Sequence, residues 1–314
     1  MTRVAAIDLG TNSTRLLVAD VEDGRLAEVE RRLTITRLGE GVDARRRLLP
    51  VPIARVRNAL SEYRRTLEAH GAERALAIAT SAVRDAENGE AFLGEVEWSY
   101  GFATQLLSGG EEALLTLRGV TSDRALEPRT LVVDVGGGST ELVVGGPDGV
   151  DSHVSLDLGC VRLTERFLRS DPPAPDELEA CAAHVRAALP DLDVVGAVGV
   201  AGTVTTLAAL DLGLEEYDAD RIHGHRVAAA AVDEQLARLA ALPVAERRAV
   251  RGLEPERAPV IIAGVVIVAE VLRRYGLAEL EASERDILHG AALAAAELPA
   301  PAEGAAPPGA YTCC

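Results

Sequence analysis

One phrase occurs twice in this chain. Residues 7–18 read IDLGTNSTRLLV, and residues 133–144 read VDVGGGSTELVV. In register, Asp8 falls on Asp134, Gly10 on Gly136, Ser13 on Ser139, Thr14 on Thr140, Leu16 on Leu142 and Val18 on Val144. Each copy leaves one apolar run (Val4 to Ile7, Leu131 to Val133) and enters another (Leu16 to Val18, Leu142 to Val144). That pattern predicts a β-hairpin with small residues at its bend. Finding it twice predicts a duplicated architecture. The bend turns consecutive backbone N–H groups outward, and glycine lets a ligand come close to them, so such a loop suits phosphate oxygens. An ordinary turn would need fewer glycines and no leading carboxylate.

The rest of the chain fits two domains. A length of 314 residues accommodates two cores. Strands are expected at 3–9, 15–20, 27–37 and 74–80, with helices at 52–69 and 109–119. The second half restarts with strands at 131–135, 141–146, 151–157 and 194–200. Helices are expected there at 161–169, 175–188, 232–241, 257–275 and 284–296, and Thr203 or Thr205 is placed to cap another. Alternating strands and helices define an α/β class with mixed sheets. Two related domains are expected, 1–124 and 125–298, facing each other across a cleft. The C-terminal helix is free to pack back on the first. The Pro/Ala/Gly-rich segment 299–314 reads as a disordered tail.

Charge narrows the chemistry. The net charge is −17, which argues against nucleic acid as a partner. The 32 basic residues are all arginine. Without lysine, a Walker-A loop, a kinase-type strand lysine and a Schiff-base lysine are excluded. Phosphate-shaped loops in an acidic chain require local arginines or a divalent cation to reverse the sign at the site. The longest uncharged apolar run, Ala258 to Ala269, is too short to span a bilayer and reads as a buried helix. With no N-terminal signal segment, a soluble cytoplasmic protein without a membrane partner is expected. Of the four cysteines, Cys160 and Cys181 read as reduced core residues, and Cys313 and Cys314 fall in the tail. His223 and His225 are poorly spaced for one metal. The arginine runs at 43–47 and 272–276 read as solvated faces able to guide a long polyanion.

Four stretches carry a resemblance: IDLGTNSTRLLV at 7–18, ATSAVRDAEN at 79–88, LLSGGEEA at 106–113 and VVDVGGGSTELVVG at 132–145. GVAGTVTTLAAL at 199–210 and ERAPVIIAGVVIV at 256–268 add weaker support. Together they resemble the exopolyphosphatase/guanosine pentaphosphate phosphohydrolase (Ppx/GppA) family of the actin-like ATPase superfamily, in its short two-domain form. The resemblance implies two duplicated actin-like (ribonuclease H-like) domains, mixed sheets flanked by helices, and an active site in the interdomain cleft. Pro259 and His289 depart from the family pattern.

Hydrolysing a terminal phosphoanhydride requires charge neutralisation and an aimed water. A carboxylate can orient and deprotonate that water. The resemblance assigns this role to Glu111, and Glu112 should point elsewhere, since adjacent helical residues face different ways. The plainer reading makes both of them acids at a helix N-terminus. Arg84 is implied to clamp phosphate, against a surface ion pair with Asp85 or Glu87. Asp134, Glu141 and Asp8 are implied Mg²⁺ ligands. Thr11, Asn12 and Ser13 in the first loop, and Gly136, Gly137, Gly138 and Ser139 in the second, offer phosphate donors. Gly202 and Thr203 offer another anion seat or a simple helix cap. The implied activity is Mg²⁺-dependent release of orthophosphate from inorganic polyphosphate. Guanosine pentaphosphate as substrate, a non-catalytic sensor and a sugar or acetate kinase remain as alternatives. A homodimer is implied by the resemblance alone.

Overall fold

A computed structural model describes residues 1–299. The expectations for the tail and for Cys313 and Cys314 lie outside the described residues. The chain divides into two compact units, one formed by Met1–Arg124 with the segment from Arg285, the other by Ala125–Glu284.

The first unit runs β1 (Thr2–Leu9), β2 (Ser13–Glu22), β3 (Arg25–Ile35), the single turn α1 (Val42–Arg45), α2 (Pro50–Ala69), β4 (Arg74–Ala79), the single turn α3 (Ser81–Arg84), α4 (Gly89–Tyr100), β5 (Ala103–Leu106) and α5 (Gly109–Val120). Its sheet order is β3-β2-β1-β4-β5. The first three strands are antiparallel, while β4 and β5 add in parallel. Every residue of β1 from Val4 to Leu9 is buried, because both faces of the sheet are covered. Ala5, Ile7 and Leu9 face a core that includes Leu60 and Tyr63 of α2 and Phe92 and Val96 of α4.

The second unit runs β6 (Thr130–Val135), β7 (Thr140–Gly146), β8 (Gly149–Leu156), α6 (Cys160–Phe167), α7 (Pro175–Ala188), β9 (Gly196–Val200), α8 (Ala201–Asp211), the single turn α9 (Ala219–Ile222), β10 (Arg226–Ala228), α10 (Ala229–Ala240), the single turn α11 (Val244–Arg247), α12 (Ile261–Tyr275) and β11 (Glu279–Ala282). Its sheet order is β10-β11-β9-β6-β7-β8. From β8 inward this repeats the first sheet: three antiparallel strands, then two parallel additions. The doubled phrase is therefore a doubled sheet. Ile261 to Leu272 of α12 are all buried, as an all-round apolar helix must be. Cys160 and Cys181 are buried free thiols.

The last helix, α13 (Ile287–Glu297), is part of the first unit. The sequence reading counted residues 285–298 with the second domain and left this helix free to pack back on the first; Ile287, Leu288, Ala291 and Ala292 cover the face of the first sheet formed by Val4, Ala6, Leu17 and Ala19. Without them that apolar face would meet water. The helix lies close against α5, since an added Cβ at Gly119 would stand 1.8 Å from Asp286 O and one at Gly290 would stand 2.0 Å from Leu115 O. Among the described residues, no helix is long and apolar enough to cross a membrane.

Candidate functional site

The two bends have the same backbone. Gly10 N donates to Ser13 O at 3.0 Å, and Gly136 N donates to Ser139 O at 3.1 Å. Asp8 pairs with Arg15 across its hairpin, and Asp134 pairs with Glu141 across the other. The charge at each position differs, and that separates the two loops chemically.

In the first unit, Arg15 Nε and Nη2 donate to Asp8 Oδ2 at 2.9 and 2.7 Å. Arg15 Nη1 donates to Asp286 Oδ2. Burial pushes the Asp8 carboxyl up, against the pull of Arg15. Burial acts the same way on Asp286, but Arg15 and His289 outweigh it and hold that carboxyl below the usual range. Arg15 itself stays charged. Asp8 Oδ1 is buried with no hydrogen-bond partner among the described residues.

The bend that follows is tied down by its carbonyls. Thr11 O accepts from Gly39 N at 2.8 Å, and Asn12 O accepts from Arg37 N at 2.9 Å. The Asn12 side chain is 7% exposed. Neither its Oδ1 nor its Nδ2 has a hydrogen-bond partner among the described residues. A buried amide left this way costs about 1–3 kcal/mol, which a ligand oxygen at Nδ2 would relieve. Ser13 is half-buried at the end of the bend.

Glu111 and Glu112 part company. Ser108 caps α5, and Glu111 Oε2 accepts from Ser108 N at 2.8 Å and from Ser108 Oγ at 2.7 Å. That is a capping box on an exposed surface. These bonds, the Ser108 hydroxyl first, hold the Glu111 carboxyl below its usual value. Glu112 is buried, and its Oε2 accepts from Arg84 Nη1 at 3.0 Å. The same Nη1 donates to Leu107 O at 2.8 Å. Arg84 thus pairs with neither Asp85 nor Glu87, the partners weighed from sequence. It closes α3 and turns toward the start of α5.

In the second unit, Asp134 and Glu141 are both buried and stand opposite each other. Glu141 Oε1 accepts from Ser155 Oγ at 2.7 Å. The glycine bend is clasped by α6: Cys160 N donates to Gly136 O at 3.0 Å, Val161 N to Gly137 O at 2.9 Å, and Arg162 Nε to Gly138 O at 2.7 Å. The approach is so close that an added Cβ at Gly159 would stand 2.3 Å from the Gly137 carbonyl. Ser139 is buried at the foot of the bend.

At the β9–α8 junction, Ala201 has a left-handed φ of 67°, a strained value for a residue other than glycine. The Arg257 guanidinium covers Gly202, for an added Cβ there would stand 1.8 Å from Nη1. Arg257 Nε also donates to Glu254 at 2.9 Å. Sequence reasoning missed this arginine. Thr203 is turned toward Gly264 of α12, where an added Cβ would stand 2.4 Å from its Oγ1. Its hydroxyl therefore packs in the interior and leaves only the backbone N–H for an anion. Cys160, within reach of the Arg257 charge, has its thiol pushed up by burial to about 11.

Among the described residues, no group of three or more His, Cys, Asp or Glu side chains is placed to hold a metal ion. Asp134 and Glu141 supply two oxygen donors, which suits a hard cation that keeps part of its water shell. Asp8 is different, because Arg15 already neutralises it and only Oδ1 stays open. His223 and His225 are used locally, accepting from Glu284 N at 3.1 Å and bonding Asp211 at 2.6 Å.

The model of the Ppx/GppA phosphatase family matches residues 17–297. Exopolyphosphatase 2 of Mycobacterium tuberculosis is 44% identical, over 94% of this chain and 99% of its own length. Among solved structures, an exopolyphosphatase-like protein superposes with a TM-score of 0.86 at 36% identity, covering 92% of this chain and 97% of that one. The PPX-GPPA enzyme of Aquifex aeolicus superposes with a TM-score of 0.80 at 33% identity, covering 93% and 99%.

Proposed function

The chain belongs to the Ppx/GppA phosphatase family, and from that premise we propose that it is an exopolyphosphatase, hydrolysing the terminal phosphoanhydride of inorganic polyphosphate to orthophosphate. The observation that carries this reading is the 44% identity to an exopolyphosphatase along nearly the whole of both chains.

Binding comes first. In the first unit the N–H groups of the 10–13 bend and the Asn12 amide receive phosphate oxygens, and in the second the N–H groups of the 136–139 bend offer the same kind of donor. Arg84 keeps donors beyond those it spends on Leu107 and Glu112, since a guanidinium has five. In the second unit, Arg257, over the start of α8, supplies positive charge. A divalent cation such as Mg²⁺, held by Asp134 and Glu141, would supply further neutralisation of the phosphate oxygens. The Asp8–Arg15 pair fixes the first bend rather than holding that ion.

Attack requires a water and a base. The family resemblance points to Glu111, but its carboxylate is spent on the Ser108 cap and lies on an exposed surface. Glu112 is buried and oriented by Arg84, a group that would also touch phosphate. We therefore assign the base to Glu112. Its carboxylate takes the proton as the water oxygen bonds to the terminal phosphorus and the bridging P–O bond breaks toward the shortened chain.

The test is phosphate release from tripolyphosphate, long-chain polyphosphate, guanosine pentaphosphate and ATP, with and without Mg²⁺. Wild type, Glu111→Gln and Glu112→Gln are compared. Polyphosphate should be the preferred substrate, with kcat falling at least ~10³-fold in Glu112→Gln and less than ~10-fold in Glu111→Gln. The reverse order would return the base to Glu111. Turnover of guanosine pentaphosphate alone would replace the substrate, and binding without turnover would make the chain a sensor.

A further inference from the structure

Arg45, Arg46 and Arg47 stand in a row on an exposed loop. The chain holds 49 acidic residues against 32 basic ones, and Arg32 and Arg57, also exposed in the first unit, find Glu30 and Glu95. None of these three does so among the described residues.

The loop that carries them is firmly held. Val42 and Leu48 are buried at its two ends. Leu48 N donates to Asn88 Oδ1 at 2.8 Å, and Asn88 Nδ2 donates back to Leu48 O at 3.1 Å. Arg46 takes a left-handed φ of 52°, a conformation that favours glycine.

Thr11 O accepts from Gly39 N, and Gly39 O accepts from Val42 N at 3.1 Å, so the loop is laced to the first bend. On the other side, Arg46 O accepts from Glu87 N at 2.8 Å, three residues beyond Arg84. The loop that carries the three arginines is thus tied by its backbone to both segments of this unit that would receive phosphate.

We propose that Arg45, Arg46 and Arg47 form an outlying subsite for the inner phosphates of an extended inorganic polyphosphate whose end lies at the 10–13 bend. This rests on the exopolyphosphatase reading. A polyphosphate presents charge at every unit along a flexible chain, so it needs a track of cations rather than one shaped pocket. Three exposed guanidiniums supply that track. On this proposal the terminal two or three phosphates lie at the bend, and only a longer chain extends to the three arginines.

The test is a triple variant, Arg45→Gln, Arg46→Gln and Arg47→Gln, beside a triple Arg→Lys variant. Steady-state kinetics on long-chain polyphosphate and on tripolyphosphate are measured across a salt series, with equilibrium binding of long-chain polyphosphate as a second readout. In the glutamine variant, long-chain KM and Kd should rise at least ~10-fold and the salt slope should fall by about 2, at about 0.7 per lost contact. Long-chain kcat should hold, tripolyphosphate kinetics should stay within about 2-fold, and the lysine variant should restore long-chain binding. Unchanged long-chain KM, Kd and salt slope would overturn the subsite, as would equal losses on both substrates. If wild type hydrolyses neither chain, the exopolyphosphatase reading fails, and the binding comparison still decides whether these arginines hold polyphosphate.

Discussion

Asp286 carries two duties, and removing its carboxylate tests both. Its Oδ1 accepts from Leu288 N at 2.9 Å as the N-cap of α13. Its Oδ2 accepts from Arg15 Nη1, which ties that helix to the β1–β2 hairpin. Losing an N-cap costs about 1 kcal/mol, and losing a charged hydrogen bond about 1.5–3 kcal/mol. Arg15 keeps Asp8, so the larger penalty of a stranded buried charge is not reached. Asp286→Ala should therefore destabilise the docked helix by about 2.5–4 kcal/mol. Asp286→Asn keeps a capping oxygen and should lose only the ionic part, about 2 kcal/mol.

The assay is amide hydrogen exchange resolved by peptide, which reads the opening of α13 by itself. In Asp286→Ala, exchange in 287–297 should accelerate by about 10²–10³-fold. The pH dependence follows from the low carboxyl value of Asp286. A depressed group contributes stability above its unfolded value, near pH 4, and loses it as pH falls through the folded value. The gap between wild type and Asp286→Ala should thus be full at pH 7 and shrink below pH ~4. Asp8, pushed up by burial, acts in the opposite sense and should soften the change in wild type. Acceleration below ~10-fold at pH 7, or equal effects of the Ala and Asn variants, would refute this account of how α13 is held.

Gly159→Ala should destabilise the second unit by about 1–3 kcal/mol in thermal melts, because its Cβ would meet the backbone of Gly137 and Gly138. Ser108→Ala should cost about 1 kcal/mol through loss of the α5 cap. As Glu111 is held low, its share of that cap should be present above the ordinary glutamate value and fade as pH falls through the lowered one. At pH 8 the native Cys160 and Cys181 thiols, pushed up by burial to about 11 and about 12, should resist alkylation until the protein is denatured, as peptide mass mapping would reveal.

The two hairpins were legible because the phrase repeats, and the strands at 74–80 and 194–200 because each is a clear apolar run. Short or polar elements were not. β11 reads ELEA, a string of good helix formers, yet it pairs in parallel with β9, a case of tertiary context overriding propensity. The four-residue β5 and the helix α4, with Gly94 in its middle, gave no clear period. The helix expected from 257 begins at Ile261, because Pro259 precedes it and the preceding residues form turns. At the site, the Ser-x-x-Glu spacing of Ser108 and Glu111 is a capping-box signature that could have separated Glu111 from Glu112 at the outset. Arg257 could not have been found this way, since only the fold brings it over Gly202.

The deepest asymmetry lies in the duplication itself. Arg15 and Glu141 occupy equivalent places, each opposite the leading aspartate of its bend. The first hairpin therefore contains its own counter-ion, and the second sets two buried carboxylates face to face. Like charges directly opposite on a ladder are destabilising, and a divalent cation would reverse the sign of that interaction. Mg²⁺ should raise the melting temperature of wild type. At tenfold excess over Kd the gain is about 1.4 kcal/mol, or about 3–6 °C for a domain of this size. Glu141→Gln keeps an acceptor for Ser155 but removes one charge. It should melt no lower than wild type without the ion and should lose most of the shift with it. A wild type indifferent to Mg²⁺, or a variant that shifts equally, would mean that the two acids are stabilised by the protein alone and that the cation belongs elsewhere.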